Sequence, residues 1–174
     1  MNINFFLLFI SLMCLGCVNK IQETDFIDTE SIIADYGLDI EINYYLKGHL
    51  EFKLTAPQIE QFSDSVEKNV FSKGIKVFVY NNDFDTVATI SSDFAIQNKN
   101  ENLVEVKKNV ILTNSKNEQL STEKLFWDRE TKTIYTDDFV TINTENEIIM
   151  GYGFVTDQSF STYSLSNITG TIYL

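Results

Sequence analysis

The sequence predicts an all-β chain of antiparallel strands stacked into an elongated array. Three observations carry that prediction: hydrophobicity alternates with a period of two, the alternation recurs about every 30 residues, and polar runs separate the copies. One copy runs from Ile90 through Val104, Val106, Val110 and Leu112, and thirty positions on come Leu120, Ile134, Thr136, Val140 and Ile142. The connections repeat as well, Asn98-Lys99 becoming Asp128-Arg129 and the polar run Thr113–Asn117 becoming Asn143–Glu147. Residues i and i+2 of a strand point to the same side. A repeated unit that cannot bury its apolar face alone must stack on its neighbours.

The N-terminal segment is a separate object. Residues 1–16 hold the apolar run Phe5-Phe6-Leu7-Leu8-Phe9-Ile10 and end in Cys14-Leu15-Gly16. That is too short to span a bilayer, which needs about 20 apolar residues, and it reads as a secretory signal. Small Gly16 before Cys17 resembles the lipobox of bacterial lipoproteins, in which the cysteine receives lipid and becomes the mature N-terminus. The n-region lacks Lys and Arg, and Cys14 stands where Leu is usual. Removing Cys14 and acylating Cys17 leaves no thiol for a disulfide, so stability has to come from packing. Residues 17–40 form the anchor and an acidic tether (Glu23, Asp25, Asp28, Glu30, Asp35), with a short helix over 29–36 as the alternative for its last part.

Residues 41–174 form the strand domain, long enough for one sizeable core. An early copy begins near Leu54-Thr55-Ala56-Pro57, carries an insertion around residues 60–70, and ends in a strand with Ile75, Val77 and Val79 on one face. Even-numbered Ile90, Phe94, Val104, Val106, Val110, Leu112, Phe126, Ile134, Val140, Ile142, Tyr152 and Phe154 continue that inward face. Gly151 and Gly153 allow a close backbone approach or a bend. The last strand comprises residues 163–168 and 170–174.

The composition excludes several functions. Net charge is −12, with 13 basic against 25 acidic residues and no basic run beyond Lys107-Lys108, so nucleic acid is not a partner. The single histidine, His49, has no partner at metal or general-base spacing. The pairs Asp64 with Glu67, Asp128 with Glu130, and Asp137-Asp138 fall in turns without calcium-loop spacing. No G-x-S-x-G occurs. No catalytic residue, metal site or cofactor is expected, and function falls to the strand faces.

Four stretches resemble the LptC family: Phe71–Tyr80, Gln119–Asp128, Ile134–Val140, and Gly151-Tyr152-Gly153-Phe154. The resemblance runs from about Ala56 to Ile172 and is nearest to the lipoprotein-type variant of the Bacteroidetes. Its most specific parts are Leu120–Asp128 and the two glycines. It implies an open, OstA-like β-jellyroll that binds lipopolysaccharide along its interior at the periplasmic face of the inner membrane. It further implies receipt of lipid from the LptB–LptF–LptG ABC transporter and delivery to an LptA-like periplasmic protein through edge-to-edge contact. The lipid-contact candidates are then Ile75, Val77, Val79 and the even-numbered residues above. The lipobox departs from the transmembrane anchor of many members. The alternative is a cell-envelope β-sandwich lipoprotein binding carbohydrate or protein through outer aromatics such as Phe78, Tyr80, Trp127 and Tyr135.

Overall fold

The computed structural model describes residues 33–63 and 67–173. They form β1 (Ile33–Leu46), β2 (His49–Phe62), β3 (Lys68–Phe71), β4 (Ile75–Tyr80), β5 (Thr86–Ser92), β6 (Phe94–Asn98), β7 (Leu103–Asn114), β8 (Gln119–Asp128), β9 (Thr133–Thr136), β10 (Val140–Asn143), β11 (Glu147–Asp157) and β12 (Tyr163–Tyr173). Among the described residues there is no helix. The first strand corrects the expected boundary, since it begins at Ile33, inside the segment assigned to the tether or a short helix. The reason is register: Ile40, Ile42 and Tyr44 face Ala56, Leu54 and Phe52 of β2, so the alternation already has a partner there. The proposed signal peptide, Cys17 and the tether up to residue 32 lie outside the described residues.

The topology is an antiparallel meander folded along its length. β2 pairs with β4 through Phe52–Thr55 and with β3 through Glu60–Phe62. β7 likewise pairs with β5 through residues 111–114 and with β6 through residues 104–107. β8 and β11 each pair with both β10 and β9. So β3–β4, β5–β6 and β9–β10 are rungs broken at a corner, while the long strands are rungs bent there. Among the described residues nine rungs follow in chain order, and only β1 and β12, at the two ends, have a single neighbour. Bending every rung gives two facing halves, one holding β4, β5 and β10, the other β3, β6 and β9. This is the open jellyroll the sequence predicts.

The corners are where the backbone leaves β geometry. Of the residues with positive φ, Asp39, Gly74, Lys108, Asn109 and Gly153 lie at corners, and the rest lie at hairpin ends. Buried residues flank the corner three positions apart in β2 (Ala56, Ile59), β5–β6 (Ser92, Ala95), β8 (Thr122, Leu125) and β11 (Gly151, Phe154). In β3–β4 (Phe71, Ile75), β7 (Val106, Val110) and β9–β10 (Thr136, Val140) they are four apart. The two spacings alternate rung by rung, so each neighbouring pair of rungs carries one extra residue on one side. That is the geometry of a β-bulge, which bends a strand and increases its twist. Polar side chains cap the backbone groups the ladder releases there. Thr122 Oγ1 donates to the Phe139 carbonyl (2.9 Å) and Ser92 Oγ to that of Phe94 (3.0 Å), while Asn109 Nδ2 donates to the Asp93 carboxylate (2.6 Å) and ties two corners together.

Candidate lipid-binding interior

The inward faces line up across rungs as apolar ladders. In the β4 half, Ile42, Leu54, Val77, Ile90, Leu112, Leu120, Ile142 and Ile149 sit side by side in register from β1 to β11. In the β3 half, Phe71, Ala95, Val106 and Leu125 make one run, and Thr136, Phe154 and Leu165 carry it to β12. Aliphatic and β-branched residues suit this pleated surface. The ladders pack together: Leu112, Leu120, Ile142 and Phe154 are fully sealed from solvent.

Twelve of the fifteen lipid-contact candidates are in this interior: Ile75, Val77, Val79, Ile90, Val104, Val106, Val110, Leu112, Ile134, Val140, Ile142 and Phe154. Phe94, Phe126 and Tyr152 are not, which corrects the parity reading. Each was assigned by counting in twos across a corner whose buried residues are three apart, so the count arrives on the wrong face. Ala95, Leu125 and Gly151 are the buried residues instead. Phe126 stacks on Tyr135 outside (5.4 Å between centroids), and Tyr152, 42% exposed, meets Phe139 edge-on. Trp127 is corrected in the opposite sense: the alternative reading placed it on an outer face, and it is 2% exposed. Gly153 has φ +68° at the β11 corner, and a Cβ on Gly151 would meet the Asn167 carbonyl oxygen at 2.4 Å.

Cover fails at the ends of the stack. Along the inner face of β1, Ile42, Tyr44 and Leu46 are 36%, 41% and 40% exposed. At the other end Ile168, opposite Gly151, is also open to solvent. Among the described residues both outer edges of the folded sheet are unpaired, which is how strands accept a further strand.

Where the free ends of the two halves meet, opposite the corners, side chains close a mouth. Lys132 Nζ reaches Glu51 at 2.8 Å, and Asn114 Nδ2 donates to the Phe160 carbonyl at 2.9 Å. Phe52 meets Trp127 edge-on at 5.0 Å and stacks on Tyr44 at 4.8 Å. The Arg129 guanidinium lies 6.0 Å from the centroids of both the Tyr44 and the Phe52 ring, within cation–π range. A cavity of about 230 Å³ opens among these groups. Beside it, the β11–β12 turn is held by Asp157, which accepts from the backbone N–H of Ser159 (2.8 Å), the hydroxyls of Ser159 and Ser161, and the Thr162 N–H (3.2 Å). Burial acts to raise the carboxyl pKa, but the Ser159 and Ser161 bonds outweigh it and hold the pKa well below the usual range. The turn so fixed carries Phe160 into the core against Phe154 and Tyr163.

This strand order agrees with a family comparison. A family model described as lipopolysaccharide-assembly, LptC-related matches residues 40–173. The chain belongs to the LptC-related family. No curated protein matches it. Members of this family are components of lipopolysaccharide assembly. Among the described residues no cluster of His, Cys, Asp and Glu could hold a metal, and no helix is long and apolar enough to cross a membrane. The residues the sequence reading passed over are those at the mouth, Tyr44, Phe52, Arg129 and Lys132, together with the β3-half residues Ala95 and Leu125. Leu125 and Trp127 had a visible signal, since the run Ser121–Lys124 breaks the alternation just before them.

Proposed function

We propose that this LptC-related chain carries lipopolysaccharide along its jellyroll interior. It takes the lipid from an LptB–LptF–LptG transporter at the periplasmic face of the inner membrane and passes it to an LptA-like protein. The observation that supports this reading is the pair of apolar ladders running from one unpaired edge of the stack to the other. Acyl chains gain about 0.8 kcal/mol per CH₂ removed from water. They seat first on Ile42 and Leu46 at the β1 end, and move between Val77, Ile90, Leu112 and Ile142 of one half and Val106 and Phe154 of the other as the halves part. A lipid on Cys17 holds the chain at the membrane. No step of bond making is involved, which fits a carrier.

The free edge of β12 is the docking strand for the LptA-like partner. Proline has no N–H to donate and disturbs an edge strand far less than a central one. Ile148 turns its backbone groups to β12, so Ile172 opposite it gives its N–H to the ladder and Thr171 points its N–H outward. Thr171→Pro is therefore expected to leave a folded protein that no longer captures the partner in a pull-down, and cells relying on it should accumulate lipopolysaccharide in the inner membrane. Cys17→Ala in the same cells should incorporate no labelled palmitate. A folded Thr171→Pro protein that captures the partner and exports lipid normally would remove this edge from the account.

A further inference from the structure

We propose that the cavity at the mouth is a subsite for an anionic phosphoryl group on the headgroup of the carried amphiphile; this rests on the interior being the acyl-chain path. The chain has one tryptophan and one arginine, and both line this cavity. Arg129 makes no ion pair among the described residues, although the protein carries 25 carboxylates and Glu51 and Glu130 line the same cavity. Glu51 is held by Lys132, and Glu130 accepts from Asn102 Nδ2 at 3.4 Å. Among the described residues the one hydrogen bond of the guanidinium, to Asn102 Oδ1, is long at 3.5 Å.

Two buried donors at this place, Trp127 Nε1–H and Arg129 Nε–H, have no acceptor among the described residues. Buried donors are ordinarily satisfied, and leaving them so is costly. What the two lack is an acceptor oxygen, and a guanidinium is best matched by a phosphate or other oxyanion. Tyr44, whose ring lies against the guanidinium, sits on strand β1, which pairs with β2 alone among the described residues. The subsite is also in the right place. Phe52 and Trp127 form its floor and belong to the sealed interior, so a molecule whose chains lie between the halves leaves its polar end here.

Trp127 is the only indole, so its fluorescence reports on this cavity directly. The full chain in detergent is titrated with lipopolysaccharide, with the same lipid after enzymatic removal of its phosphates, with a phosphorylated glucosamine disaccharide lacking acyl chains, and with inorganic phosphate. Each is repeated on Arg129→Gln and Arg129→Lys, whose folding is checked by circular dichroism. Removing the phosphates should weaken binding to the native chain about tenfold or more, the range of a lost charge-assisted bond. Arg129→Gln should show the weak affinity with either lipid, and Arg129→Lys should recover part of the preference. Tight binding that ignores both the phosphates and Arg129 would overturn the subsite and leave the carrier reading standing. Failure of every lipid to bind would overturn both. An Arg129-dependent response to inorganic phosphate with no preference for phosphorylated lipid would make this a free-phosphate site and overturn the headgroup assignment.

Discussion

β8 and β1 are built from the same alternation, yet Leu120 and Leu125 on β8 are sealed while Ile42 and Leu46 on the inner face of β1 stay open to solvent. The difference is the number of neighbours. β8 has β7 along one side and β9 with β10 along the other, whereas β1 has only β2. A strand's apolar face is buried by the rungs beside it and by the half opposite, so a terminal rung of identical composition keeps part of that surface exposed. Cohesion therefore resides in the middle of the stack, and the exposed apolar surface resides at its ends. Exposed aliphatic and aromatic side chains on an unpaired edge are a liability in a protein that has no partner for them. In a carrier they are the surface on which cargo and partners land.

The sharpest way to break this contrast is to remove equal side chains from the two places. Leu120→Ala empties a site in a close-packed ladder, and the expected loss is about 3 kcal/mol from urea titration. Leu46→Ala on the inner face of β1, where the side chain is 40% exposed, should cost about 1 kcal/mol or less. Equal losses would mean that the terminal rung is as integral to the core as the central one.

Next in size is Gly151→Ala. Its new Cβ runs into the Asn167 carbonyl, a backbone atom that cannot turn aside, so β12 has to move off β11. The expected cost is about 2 kcal/mol, in the range of overpacking, with amide exchange accelerated in β12 and unchanged in β7 and β8. Uniform acceleration would show that the end rung does not open independently.

The smallest of these effects is the most specific to pH. Asp157 has its pKa lowered in the folded state, so its ionised form adds stability that is fully present above the ordinary carboxylate pKa of about 3.9. That stability is lost as pH falls through the folded-state value. Asp157→Ala should lower stability by about 1–2 kcal/mol at neutral pH and flatten the acid limb of the stability curve. An acid limb as steep as that of the native chain would assign the acid sensitivity to other carboxylates.

How much of this was legible in the sequence follows from which signals are local. Alternation is a property of neighbours, so the all-β class, the hairpin ends and most of the inward face could be read directly, as Val104, Val106, Val110 and Leu112 illustrate. The corners could not. Nothing in Asp93 announces a step of three rather than two, and the polar run Ser121–Lys124 marks an interruption without fixing how many residues it spans, so Phe94, Phe126 and Tyr152 were misplaced. β7 hid the difficulty because its corner spans four residues and preserves parity. The mouth was illegible for another reason: Tyr44 and Arg129 are far apart in the chain and meet only because β1–β2 and the β8–β9 turn are brought to the same rim by the folding of the meander.

Capture of lipid from inside and outside the jellyroll tests the central claim most directly. A photo-reactive residue placed at Leu112 or Ile142, inside, and at Phe126 or Tyr152, outside, is activated in cells exporting lipopolysaccharide, and cross-linked lipid is detected on each purified protein. The expected result is capture by the two interior positions and none by the two outer ones. Capture by Phe126 and Tyr152 equal to that by Leu112 and Ile142, in variants that melt as the native chain does, would contradict it.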